Sequence, residues 1–334
     1  MKVENFNLSL NTVVEQFPIT QLYSRFLCGA SALRAGRHIS RIQFYMTYGE
    51  IDTSNPQSVL LVSDFKKYET AKAYLLSCKA LTKSDLLNAH DILLRGSTHA
   101  GKFRTIQNWL GKRKESAVYV PPPHENINRL IDEFLRCLNS SLTPLSPSKI
   151  IELYCSFLSI HPFLDGNGRL SRLLLEYMQS KSSSKIHFSL YRLGIRTRIY
   201  QDAVNSVSIK KMDAKELQYW NSMLAWSELL EHKQQELLHG FQRNIQAKLA
   251  LCPLQKNDLL VIQLLLHQPV IVLEMLQNKL GISRRESSES LLRLTAVGIL
   301  TEYKTRQNER QRIFVCMPVV ELINKLDENL FLDK

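Results

Sequence analysis

Apolar residues recur at spacings of three and four over 65–79, 83–95, 125–139 and 148–160, which predicts amphipathic helices. Ser146-Pro147 ahead of the fourth supplies an N-cap followed by proline at the first helical position. A further helix is predicted over 168–180 and one or two more over 213–248. Between them, GKFRTIQNWLGKRKESAVYVPPP (101–123) holds two short β-prone pieces, TIQNWL and AVYV, a charged tip and a proline stop. That pattern predicts a β-hairpin or flap.

The helical pattern restarts near Leu251-Cys252-Pro253, with helices predicted over 257–267 and 271–279. Gly281 breaks the chain, and Ser283 can cap a helix running to about Ala296. Val297-Gly298 then leads into two β-like pieces, ILTEYKT and RIFVCM, around the polar tip RQNERQ. Helix, helix, turn, helix, hairpin is the order of a winged helix-turn-helix. The boundary before it falls near 250.

Composition changes this picture little. The 334 residues are 44% hydrophobic and 22% charged, which suits a globular protein of two or three domains. A net charge of +12 and a pI near 9.4 admit nucleic acid, nucleotide or acidic protein partners without choosing among them. Cys28, Cys78, Cys137, Cys155, Cys252 and Cys316 are scattered with no CxxC pair, the usage of reduced cysteines in a cytoplasmic protein. The first residues do not read as a signal peptide, and no apolar run is long enough to span a bilayer, so no membrane partner is expected.

The chemistry concentrates in HPFLDGNGRLSR, residues 161–172. Asp165-Gly166-Asn167-Gly168 reads as a turn opening a helix, where glycines let a ligand approach the backbone and free N–H groups can cradle phosphate. Arg169 and Arg172 lie three apart and can both reach phosphate oxygens. Asp165 is a hard oxygen ligand suited to Mg²⁺ bridging phosphates. His161, at the end of the preceding helix, can take a proton from an incoming hydroxyl. Together these residues describe phosphoryl or nucleotidyl transfer. The bland alternative is a helix–turn–helix corner in which Asp165 and Asn167 cap and His161 packs.

The twelve residues resemble the Fic motif, H-x-F-x-[DE]-G-N-G-R-x-x-R, at every fixed position. GKFRTIQNWLG resembles the family's G-x-x-R-x-x-Q-N-W-I-G stretch, and VYVPPP its flap exit. HDILLRG and LYRLGIRTRIYQDAV, followed by Trp220, fit as well, so the resemblance covers roughly 20–240. It implies a mainly α, helical Fic fold with a β-hairpin flap, followed by the small winged helix-turn-helix domain. The expected divisions are an N-terminal helical region at 1–95, a core at 96–250 with the flap at 101–123, and the winged domain at 251–334.

The resemblance implies a bacterial, cytoplasmic protein adenylyltransferase moving AMP from Mg-ATP to a Ser, Thr or Tyr hydroxyl of a target protein and of itself. Carried over, His161 is the base, Phe163 anchors the loop, and Asp165 holds Mg²⁺. Gly166, Asn167 and Gly168 form the anion cradle, Arg169 binds phosphate, and Arg172 meets the γ-phosphate. Asp165 also favours AMP transfer over the kinase-like Doc branch. The flap residues Gln107, Asn108, Trp109, Leu110, Val118, Tyr119 and Val120 would hold the target by strand addition. Tyr191, Arg198 and Tyr200 are adenine-pocket candidates. Family members are often dimers, which makes a homodimer a candidate assembly.

Fic proteins of this type are often silenced by an inhibitory helix carrying [ST]-x-x-x-E-[GN]. The matching segment at 31–36 is SALRAG: Ser31 and Gly36 fit, but Ala35 stands at the Glu position. A lost brake is implied, through a Glu→Ala change that is natural or engineered. Two rival readings are a nucleotide-sensing DNA-binding regulator and a Fic transferase with another nucleotide donor. A third is a toxin whose inhibitor is a separate protein. For the first, Arg284, Arg285, Arg293, Lys304, Arg306, Arg310 and Arg312 could meet DNA phosphates, although Glu286 and Glu289 weaken that case. His90, His99, Trp109 and Trp220 read as structural.

Overall fold

The computed structural model describes residues 39–111, 113–117, 119–140, 145–181, 214–251, 253–304 and 311–331. Helices come first: α1 (Arg41–Tyr48), α2 (Pro56–Ser77), α3 (Lys83–Leu93), α4 (Ile127–Asn139), α5 (Pro147–Ile160), α6 (Asn167–Ser180) and α7 (Ala214–Leu249). Then follow α8 (Lys256–His267), β1 (Val270–Val272), α9 (Leu273–Leu280), α10 (Arg284–Ala296), β2 (Thr301–Tyr303), β3 (Ile313–Val315) and α11 (Met317–Phe331). The protein is mainly helical.

Two compact units emerge. Among the described residues, one holds those of 63–231; the other joins 39–62 to 232–331. Their division falls inside α2 and α7, whereas the sequence suggests boundaries near 95 and 250.

In the first unit, α5 packs against α4 and α6, and α3 packs against α4 and α6. Ser146 caps α5 by accepting from the Lys149 N–H at 3.3 Å, with Pro147 at the helix start. α3 opens with a reciprocal cap between Thr82 and Asp85. The shared core is Ile131, Phe134, Ile150, Phe157, Ile160, Leu170, Leu173 and Met178, all essentially buried. Each such side chain contributes about 1.5–3 kcal/mol on leaving water. A polar tie accompanies them: Glu176 of α6 pairs with Lys72 and accepts from the Tyr68 hydroxyl at 3.3 Å. α6, which carries the motif arginines, is thereby held on a rigid layer.

In the second unit, β1, β3 and β2 form one antiparallel sheet in that order, with Ile271 opposite Phe314 and Glu302 opposite Phe314 on the other side. The helix expected over 271–279 is therefore a short strand plus a shorter helix. Val270–Val272 is a buried β-branched run that finds a partner strand in Ile313–Val315. α11 follows β3 and packs on α1. Gln268 ties α1 to this sheet by donating to the carbonyls of Tyr45 (2.7 Å) and Val270 (2.6 Å).

The flap is a minimal version of the expected hairpin. Among the described residues it contains one antiparallel bridge, Leu110 to Tyr119, and a short 3₁₀ turn at Lys114–Ser116. The prolines at 121–123 have no N–H to extend a ladder.

Candidate active site

α5 stops at Ile160 because Pro162 disfavours helical geometry at the residue before it. His161 takes the left-handed region, φ 47° and ψ 58°, uncommon for a residue with a Cβ. Such a conformation costs on the order of 1–3 kcal/mol and persists only where neighbours over-determine it. The neighbours here are explicit. The His161 N–H closes α5 on the Phe157 carbonyl (3.2 Å), and the Arg104 side chain and N–H donate to the carbonyls of His161 and Pro162 (both 2.9 Å).

Phe163 is fully buried, its ring stacked on His90 at 3.7 Å between centroids and tilted against Phe103 at 5.2 Å. Asn167, 2% exposed, closes the loop from the other end: its amide oxygen accepts from the Phe163 N–H (3.0 Å) and its NH₂ donates to the Phe163 carbonyl (2.7 Å). The side chain of Asn167 is therefore a staple of the loop. Asn108 adds a third tie, donating to the Phe163 carbonyl at 3.2 Å.

His90, which reads as structural in the sequence, is explained by its surroundings. Its Nδ1 accepts from the Gly101 N–H (3.0 Å), so the ring proton sits on Nε2, which donates to the Asp165 carbonyl (2.9 Å). Burial lowers its pKa, in keeping with a neutral ring. Gly166 passes directly over this ring at φ 82°, where an added Cβ would lie 3.0 Å from His90 Nε2. A glycine is required there on both counts.

Gly168 is different. It has no left-handed φ, and an added Cβ would meet only Arg172 Nη1, at an ordinary 3.5 Å. Internal packing does not demand this glycine, which in a helix costs about 1 kcal/mol relative to alanine. An open backbone at the first turn of α6 is what it provides. Helix geometry leaves the N–H groups of that turn without intrahelical acceptors. Asp165 stands exposed beside it, accepting from the Gly166 N–H (2.6 Å) and pairing with Arg169 (3.1 Å).

The His161 imidazole is half-buried, and that burial pushes its pKa down to about 4. The Leu158 carbonyl opposes that shift, the Arg104 charge adds to it, and Asp165 opposes it. At neutral pH the ring is uncharged. With Nδ1 facing the Leu158 carbonyl at 3.3 Å, the proton belongs on Nδ1 and the Nε2 lone pair is left to act.

His161, Asp165, Gly166, Asn167, Gly168, Arg169 and Arg172 thus share one loop and the first turns of one helix. The flap stems are joined by side chains more than by backbone pairing. Gln107 donates to the Pro121 carbonyl (2.8 Å) and the Asn108 carbonyl (3.1 Å), and the Tyr119 hydroxyl donates to the Ser159 carbonyl of α5 (2.8 Å). Trp109 and Val120 are exposed. Val118, Ser31, Ala35, Gly36, Tyr191, Arg198 and Tyr200 lie outside the described residues. Arg104 was not singled out from sequence; its only signal was the R of the G-x-x-R stretch.

Three arginines of the C-terminal unit face carboxylates. Arg293 forms two bonds to the buried Asp258 (2.9 and 3.0 Å), Arg285 pairs with Glu289 (2.9 Å) and Arg312 with Glu302 (2.8 Å). Arg284 and Lys304 are exposed, and Arg306 and Arg310 lie outside the described residues.

Residues 80–179 match the Fic/DOC family. The protein adenylyltransferase Fic of Drosophila ananassae is 33% identical over 109 residues, 31% of this chain and 20% of that one. The protein adenylyltransferase fic-1 of Caenorhabditis briggsae is 30% identical over 120 residues, 32% and 22% of the two chains. The chain thus spans about a fifth of the length of these curated relatives. Among solved structures, a Fic domain containing signaling protein from Bacteroides thetaiotaomicron is 17% identical with a TM-score of 0.45, covering 64% of this chain and 94% of that one. Fic-1 from C. elegans is 20% identical with a TM-score of 0.42, covering 67% and 69%.

Proposed function

We propose that this chain, whose residues 80–179 match the Fic/DOC family, carries out protein adenylylation: transfer of AMP from ATP to a hydroxyl of a target protein. The observation that carries the reading is the pairing of a half-buried, neutral His161 with an open-backboned helix start at Gly168. The choice of ATP as donor follows the names of the relatives.

In the reaction, the acceptor hydroxyl oxygen forms a bond to the α-phosphorus as His161 Nε2 takes its proton. The bond from that phosphorus to the bridging oxygen breaks, and pyrophosphate leaves. A base placed in this way contributes about 10²–10⁴ in rate. The first-turn N–H groups of α6 and the guanidinium groups of Arg169 and Arg172 bind the phosphate oxygens. Burial keeps His161 uncharged until the polyanion arrives, and the polyanion then favours the imidazolium formed on proton transfer.

Mg²⁺ would be held by Asp165 together with the phosphates and would offset their charge. The residues fit a metal that arrives with the nucleotide. No group of three or more His, Cys, Asp or Glu suited to a metal occurs among the described residues, and a single exposed carboxylate suffices for Mg²⁺ on phosphates.

The flap would seat the target segment beside its exposed Trp109 and Val120. The C-terminal unit reads as a winged helix, and its internally paired arginines favour a protein-facing role over DNA binding. The test is intact-mass analysis after incubation with Mg²⁺ and ATP. A gain of one AMP group on the protein supports the reading; a gain of one phosphate alone overturns it.

A further inference from the structure

We propose that Arg104 is a positioning residue that couples the flap to the base, one guanidinium holding the His161 carbonyl and both flap stems together. This rests on His161 being the base. Arg104 is 3% exposed, so it touches neither nucleotide nor target. Its Nε donates to the His161 carbonyl (2.9 Å), its Nη1 to the Ile106 carbonyl (3.2 Å) and its Nη2 to the Pro122 carbonyl. Its own N–H donates to the Pro162 carbonyl (2.9 Å). Ile106 begins one stem of the flap and Pro122 ends the other.

The chain has reason to use a side chain here. A strand ladder cannot hold these stems, because the prolines at 121–123 lack N–H groups and the described residues contain a single bridge, Leu110 to Tyr119. A clamp at the base of the flap must therefore reach carbonyls in three directions at once. The five fixed donors of a guanidinium do this, and the point charge of lysine does not. The same clamp holds His161 in its left-handed conformation, so the place where a target segment would lie and the place where its proton would go share one fixture.

The test uses the full chain with Arg104→Lys and Arg104→Gln. Four quantities are compared with wild type: ATP affinity by equilibrium dialysis with Mg²⁺, automodification rate from α-labelled ATP at saturation, melting temperature, and amide exchange at Leu110. ATP affinity should stay within about twofold, while the transfer rate falls on the order of ten- to a hundredfold. Exchange at Leu110 should rise by about tenfold.

A wild-type transfer rate and wild-type Leu110 protection in both variants would overturn the proposal. So would loss of ATP binding and transfer in equal measure with a large fall in melting temperature, which marks a general structural role. If wild type itself transfers nothing, the adenylylation reading fails separately. Leu110 exchange and the ring NMR shift of His161 then decide the coupling alone: movement of both in the variants sustains it, and movement of neither overturns it.

Discussion

Arginines in the motif region and in the C-terminal unit are spent in opposite ways. In the C-terminal unit, Arg293, Arg285 and Arg312 each face a carboxylate, so the charge is cancelled within the unit. In the motif region, Arg104 is buried against main-chain carbonyls and keeps its charge beside His161, while Arg169 pairs with the exposed Asp165. A basic composition says nothing about which of these a given arginine does. The difference teaches that an arginine's role is set by the groups the fold places around it, not by how densely arginines occur in sequence.

Breaking the pairs should rank the two regions. Arg293→Ala strands the buried Asp258 and should cost about 3 kcal/mol in denaturant unfolding, without altering ATP affinity. A loss under half that size would mean that Asp258 is satisfied by its helix cap alone.

The glycines sharpen the comparison next. Gly166→Ala meets both a left-handed φ and the His90 ring, and should destabilise by about 1–3 kcal/mol. Gly168→Ala has room within the chain and should leave the melting temperature unchanged while weakening ATP binding by about tenfold. Equal effects of the two on folding would contradict the assignment of Gly168 to a ligand.

The pH response follows from the direction of the His161 shift. Its folded pKa, about 4, lies below the ordinary 6.5, so its contribution to stability is present above pH 6.5 and is lost as pH falls toward 4. In the free enzyme His161 stays a competent base across that window, so the rate constant kcat/KM should show no acid limb near pH 6.5. A limb at 6.5 would mean a solvated ring.

The smallest effect belongs to Arg285→Ala. That arginine is fully exposed and paired along its own helix, so melting should shift by no more than about a degree.

Much of this was legible in the sequence. Helices α3 to α6 and α8 follow their apolar spacing, and the cap of α5 is where Ser146-Pro147 puts it. The motif was legible because glycines, a carboxylate and arginines at fixed spacing have few other uses. What stayed hidden depends on partners distant in sequence. Val270–Val272 became a strand because it meets Ile313–Val315, and a short apolar run carries no period of its own. Asn167 read as part of an anion cradle, yet its side chain turns inward to Phe163, a choice made by the shape of the loop. The flap lost its ladder to prolines and gained a clamp from Arg104, whose acceptors lie 2, 18 and 57 positions away.

The measurement that bears most directly on the account is incubation of the pure protein with Mg²⁺ and ATP labelled at the α- or the γ-phosphate, beside His161→Ala. Label on the protein from the α position only, absent in the variant, is the predicted result. Label from the γ position, or α label that survives in His161→Ala, would contradict the assignment of His161 as the base for AMP transfer.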